Sequence, residues 1–276
     1  MPDNGGPKNE IDILKDLGIQ GLTDAGRITN TDRLKVAICG EKKSGKSKLI
    51  ADTARKPLLH YDFDDRRESI AGAKDTIIKT LIDSDSITPQ AWGILESDLS
   101  SLEYAKRNGS LPLKSLALDS ATYLRQIAEN QMMKDTNMMR RAKIGLTSYQ
   151  IAQGWDAINY VHRMLYTLLR RLFALDIDIY VVFHTRNEKD RVKSTKEETF
   201  YTDRLTVDPQ NLDVLLPMFN ETWRTFVDLD GHFKLQVKQD FRFNAATALK
   251  IGQDMGIENP DIQALLQKNA ANVVKQ

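Results

Sequence analysis

Gly40-Glu41-Lys42-Lys43-Ser44-Gly45-Lys46-Ser47 satisfies the pattern G-x-x-x-x-G-K-[ST] at every fixed position, and that pattern tolerates few folds. It needs a strand to deliver the first glycine and a helix to begin at the lysine. Both flanks are present. Val36-Ala37-Ile38-Cys39 is an apolar run ahead of Gly40, and a helix-compatible stretch follows Lys46. Gly40 and Gly45 allow backbone angles and a close approach that a Cβ would forbid, so successive N–H groups can turn inward on an anion. The alternative is a lysine-rich turn that only joins strand to helix, which would not require the fixed residues and both flanks together.

If the loop cradles phosphates, Lys46 reaches the β/γ-phosphates as a point charge and the Ser47 hydroxyl ligates Mg²⁺, a hard cation that prefers oxygen. The remaining loop positions, Glu41, Lys42, Lys43 and Ser44, supply backbone N–H groups to the same cradle. Ligands of open α/β sheets bind outside the carboxyl ends of the strands, so the strand ends downstream are where partners of the loop are expected. Pro57-Leu58-Leu59-His60-Tyr61-Asp62-Phe63-Asp64 is one such run. It brings Asp62 or Asp64 near the phosphates if this strand neighbours the first, with Asp64 as candidate general base; otherwise the two acids cap the next helix. Leu113 to Ser120 is mostly apolar and ends at Asp119, the form of a strand whose acid helps hold Mg²⁺. Asp176 to Thr185 is β-branched and aromatic and ends at His184, either a sensor of the γ-phosphate or a histidine bonded within its own loop.

Between these strands the spacing predicts helices over 66–82, from Thr88-Pro89 to about Lys106, and through Trp155 to Phe173. Met132, Met133, Met138 and Met139 lie among basic residues, as a partner-touching loop or as a helix with one core face. Residues 186–209 read as a long charged loop, with Arg186, Lys189, Arg191, Lys193 and Lys196 near Phe200 and Tyr201. Residues 211–219 read as helical. Asp230-Gly231 predicts a hairpin between Trp223–Val227 and His232–Val237, followed by Lys238 and Arg242, either cations that complete a nucleotide site, on this or a neighbouring subunit, or an ordinary charged strand end. Asn259-Pro260 caps a C-terminal helix. The expected division is an N-terminal extension (1–33), a core (34–245) and a C-terminal helical tail (246–276).

Over 276 residues the hydrophobic share is 41%, the charged share 28% and the net charge +1, so composition gives neither a membrane class nor a globally basic surface. Met1 to Gly21 lacks the basic-then-apolar layout of a signal peptide, and a cytoplasmic protein is expected. The single cysteine, Cys39, reads as packing, and the histidines show no zinc spacing with it.

Taken in order, the Gly40–Ser47 loop, Tyr61-Asp62-Phe63-Asp64, Leu118-Asp119-Ser120, Phe183-His184-Thr185-Arg186 and Lys238–Arg242 resemble the RecA-like ATPases. They are most similar to the compact phage versions grouped with single-strand annealing recombinases. The resemblance implies a mostly parallel sheet flanked by helices with a C-terminal hairpin, ATP and Mg²⁺ as ligands, and ATP hydrolysis in phage recombination or annealing. It implies single-stranded DNA bound by Asn187–Val207 and by the stretch from Met132 to Thr147. It also implies a homo-oligomer in the host cytoplasm, with a single-strand-binding protein as a further partner. Asp64 stands where many relatives carry Glu, and His184 where they carry Gln. Two other readings stay open, a nucleotide-binding module that recruits a protein partner and a small-molecule P-loop kinase.

Overall fold

The computed structural model describes residues 33–84, 88–135, 155–189, 201–205, 215–240, 243–249, 251 and 255–274. Strand β1 (Lys35–Gly40) feeds the glycine loop and helix α1 (Lys46–Thr53) leaves it. The chain continues through β2 (Leu58–Asp62), β3 (Thr76–Thr80), α2 (Ala91–Arg107), β4 (Ser115–Asp119) and α3 (Ala121–Asp135). After α4 (Trp155–Phe173) come β5 (Asp178–Lys189), β6 (Tyr201–Leu205), β7 (Glu221–Val227) and β8 (Phe233–Gln236). The short strands β9 (Ala246–Thr247) and β10 (Met255–Glu258) precede α5 (Ile262–Val274).

One mixed sheet runs in the order β10-β8-β7-β1-β5-β4-β2-β3. From β7 across to β3 every neighbouring pair is parallel, while β8, β9 and β10 join antiparallel. Side chains alternate across a strand, and a sheet covered on both faces therefore needs apolar residues at nearly every position. The central strands meet that demand. Ala37 and Cys39 of β1, Leu116 and Leu118 of β4, and Ile179, Val181 and Phe183 of β5 face α2, α3 and α4. Val36 and Ile38, Ala117, and Tyr180 and Val182 face the other way, onto Leu49 and Ile50 of α1 and Ile262, Leu265 and Leu266 of α5. Burying each such Leu or Ile side chain contributes roughly 1.5–3 kcal/mol, which fixes α1 and the loop before it against the sheet.

Several local expectations give way to tertiary structure. The predicted helix over 66–82 is a 3₁₀ turn, Arg67–Ile70, followed by β3. Pairing with β2 from Leu58↔Thr76 to Asp62↔Thr80 overrides the helix-like spacing. Helix α2 starts at Ala91 rather than at Thr88-Pro89, because Asp83 Oδ1 accepts the N–H groups of Gln90 and Ala91, both at 2.9 Å. The charged segment after Thr185 is not a loop from its start: β5 continues to Lys189 and pairs antiparallel with β6. Arg191, Lys193, Lys196 and Phe200 lie outside the described residues, as do Met138, Met139 and the basic residues beside them. Met132 and Met133 are buried in the core on α3. Within 211–219 the described part is a 3₁₀ turn, Leu216–Met218. Helix α5 is capped not by Asn259-Pro260 but by Asp261, whose Oδ1 accepts from Gln263 N at 2.7 Å and Ala264 N at 3.2 Å. Among the described residues no helix is long and apolar enough to cross a membrane.

Candidate nucleotide site

The glycine loop winds through left-handed backbone at Lys43 (φ 67°) and Gly45 (φ 84°), the alternation that turns N–H groups to one side. Gly45 caps the start of α1. Gly40 is required by space: a Cβ there would lie 2.4 Å from Thr225 O and 2.5 Å from Ser44 Oγ. Ser44 Oγ in turn shares a 2.7 Å hydrogen bond with Thr225 Oγ1 of β7, so the neighbouring strand pins the loop from behind. Lys46 is 5% exposed, and its ammonium donates to Gly40 O at 2.9 Å and Glu41 O at 2.6 Å. Burial pushes its pKa down to about 8, against the attraction of Asp119 and Asp64.

Opposite the lysine, Ser47 Oγ donates to Asp119 Oδ2 at 2.5 Å. His60 Nε2, from β2, lies 3.4 Å from the same oxygen. Burial drives the Asp119 carboxyl upward, but the His60 hydrogen bond and charge, the Ser47 hydroxyl and Lys46 outweigh it and hold the group below its usual range. These residues meet although β1 and β4 are not neighbours, because β5 lies between them. The condition set for the acids of β2, that their strand adjoin the first, is not met: β2 pairs with β4 and β3. The register carries Asp62 level with Asp119 instead, and the turn beyond folds Asp64 back over the cleft.

Asp62 and Asp64 both line the cleft, and Asp62 is in addition tied into its own turn. Asp62 Oδ1 accepts from Asp64 N at 3.1 Å and its Oδ2 from Arg66 N at 2.9 Å, so it caps the turn. The Asp64 side chain is 5% exposed. Its Oδ2 lies 3.6 Å from Arg66 Nε and 3.9 Å from His184 Nε2. A cleft of 540 Å³ gathers Lys42, Lys43, Ser44, Gly45, Lys46 and Ser47 on one side with Asp64, Asp119 and His184 on the other. Gly40 and Glu41 do not line it; their carbonyls hold Lys46 from behind.

Lys238 is not brought to this cleft. Strand β8 returns antiparallel to β7, with Gln236 opposite Arg224 and Phe233 opposite Val227, so the residues after β8 travel away from the carboxyl end of β1. Arg242 lies outside the described residues. Reading the strand ends alone passes over His60, Arg66 and Thr225. His60 stands two residues before Asp62 and so on the same strand face, a signal the sequence carries; the Thr225–Ser44 contact spans 181 residues and has no local sign.

The oxygen pair at Ser47 and Asp119 suits Mg²⁺, which binds one or two protein oxygens and leaves its other positions to phosphate and water. A glycine loop on a helix N-terminus, a buried lysine and a serine–aspartate pair at the carboxyl ends of a parallel sheet define an α/β P-loop NTPase. The chain belongs to the AAA domain family, which matches residues 32–236, and is thereby a nucleotide-binding domain. No curated protein matches it.

Proposed function

We propose that the chain is a Mg²⁺-dependent, RecA-like ATPase that forms homo-oligomers and acts on single-stranded DNA in recombination or annealing of the phage type. The observation that carries the hydrolytic part is Asp64. It is a buried carboxylate at the cleft between Arg66 and His184, a setting for a base that accepts the proton of an attacking water. Lys46 places positive charge at the β/γ-phosphates, and the loop N–H groups orient them. Ser47 and Asp119 would hold Mg²⁺, which supplies Lewis-acid neutralisation of phosphate charge when bound. Arg66 and His184 flank Asp64.

The DNA part is supported by the β5–β6 ribbon. The strand that passes the cleft at His184 continues into it, and its register sets Arg186 opposite Arg204 and Lys189 opposite Tyr201, cations and an aromatic of the kind that follow a single strand. The test is ATP hydrolysis by the full chain with and without single-stranded DNA at several salt concentrations. DNA should raise the rate, and Lys46→Ala should abolish it while the protein stays folded. A rate unaffected by Lys46→Ala would refute the site. A Lys46-dependent rate indifferent to DNA would remove the DNA part alone.

A further inference from the structure

A second cavity, of 240 Å³, lies on the other flank of the glycine loop and shares Ser44, Gly45 and Lys48 with the phosphate cleft. Its remaining wall mixes apolar and polar groups. Leu49 and Pro260 contribute apolar surface, Phe233 of β8 a ring, and Asn259 an amide at the rim, with Asp52, Thr53, Thr225 and Lys234 completing the lining. The Phe233 ring packs directly on the loop, since a Cβ at Gly45 would lie 2.9 Å from its Cδ1. The ring is nonetheless 46% exposed, which leaves one side open to the cavity. A phenylalanine at the first position of a hairpin strand could simply shield the loop backbone, yet shielding alone does not require an open cavity that shares wall residues with the phosphate site.

We infer that this cavity is the nucleobase subsite of the bound nucleoside triphosphate, with the base against Phe233 and its polar edge toward Asn259. A nucleotide is anionic at one end and flat and apolar at the other, and the two cavities around Gly45 offer those two chemistries in contact. Asn259 is exposed with left-handed backbone at φ 43°, and its amide presents both a donor and an acceptor to a base edge. This assignment rests on the P-loop reading above and adds to it the residues that would distinguish ATP from bare phosphates.

The test is calorimetric titration of the full chain with ATP and, separately, with inorganic tripolyphosphate, each with Mg²⁺. The unsubstituted protein should bind ATP more tightly than tripolyphosphate. Phe233→Ala should weaken ATP by about tenfold or more, the usual worth of base–aromatic stacking, and leave tripolyphosphate nearly unchanged. As a variant that keeps the ring and its packing, Phe233→Trp should show indole fluorescence that ATP alters and tripolyphosphate does not. Equal ATP affinity in the Phe233→Ala protein, equal weakening of both ligands, or an indole blind to ATP would overturn the assignment while leaving the phosphate site standing. Binding of neither ligand by the unsubstituted chain would overturn both.

Discussion

Ser47 Oγ and Asp119 Oδ2 lie 2.5 Å apart although 72 residues separate them in the chain. Their meeting depends on β5, which spaces β1 from β4 by one strand and so brings the end of one and the helix start after the other within hydrogen-bond reach. Asp119 is buried and Ser47 half-buried; together, beside a buried lysine, their oxygens suit a divalent cation.

Asp119→Asn preserves the shape of this pair and removes its charge. Hydrolysis at saturating ATP should fall by about 10²-fold or more, the scale of losing one electrostatic partner of the reacting phosphate. The Mg²⁺ concentration for half-maximal rate should rise. A Mg²⁺ titration of the steady-state rate measures both, and an unchanged midpoint would show that Asp119 does not meet the metal.

Asp64→Asn separates binding from chemistry. If, as proposed, the carboxylate takes a proton rather than holds the nucleotide, kcat should drop by about 10²–10⁴-fold with little change in ATP affinity. Single-turnover hydrolysis beside equilibrium binding distinguishes this from a general loss of the site. Parallel decline of both quantities would reassign Asp64 to binding.

Gly40→Ala drives a methyl group to within 2.4 Å of Thr225 O and 2.7 Å of Thr225 Oγ1. Overpacking of this kind costs about 1–3 kcal/mol, and here it also pushes the loop off β7. The urea midpoint should fall, and adding Thr225→Ala should recover only part of it, because the carbonyl contact remains. Full recovery in the double variant would mean that the hydroxyl alone sets the limit.

The strands and the glycine loop were legible because their demands are local and strict. An apolar run buried on both faces, such as Ser115–Asp119, leaves little choice, and the loop has its fixed residues. Strand β3 was not legible: it sits at the sheet edge with Ile77 57% and Ile78 36% exposed, so neither strand alternation nor full burial marks it. The site was half legible for a related reason. Asp119 and His184 sit on parallel strands that all end on one side, whereas Lys238 follows a strand whose direction the hairpin reverses, and direction is a property of topology rather than of composition. His60 was visible as the residue two before Asp62, but only the β2–β4 pairing, which sets it opposite Ala117 on the face shared with Asp119, brings its ring within 3.4 Å of Asp119 Oδ2.

Glu221 provides a check on β7, the strand that holds the loop. It is 1% exposed, with Oε2 accepting from Trp223 Nε1 at 2.8 Å and Oε1 from Ala248 N at 2.9 Å. Burial pushes its pKa above the ordinary 4.5, more than these hydrogen bonds lower it. The folded chain thus binds this proton more tightly than the unfolded chain, and its contribution to stability declines as pH rises from 4.5 through the raised value. Glu221→Gln abolishes the titration but sets an amide N–H against either the Trp223 or the Ala248 N–H, a pH-independent cost of about 1–3 kcal/mol. The variant should be less stable near pH 4.5, with the gap to the parent narrowing as pH rises. Melting curves across that range decide it, and a constant gap would place the raised pKa elsewhere.

Strand β5 is continuous from the sheet to the ribbon, and no turn interrupts it between His184 at the cleft and Lys189 opposite Tyr201. Extended chain advances about 3.3 Å per residue, so these points stand some 16 Å apart on one stiff element. A tilt of about 10° in the backbone at His184 would swing the far point by about 3 Å at that reach. On the proposed function, one extended element therefore joins a residue of the nucleotide cleft to the ribbon, and a displacement at His184 would be carried to where the ribbon stands.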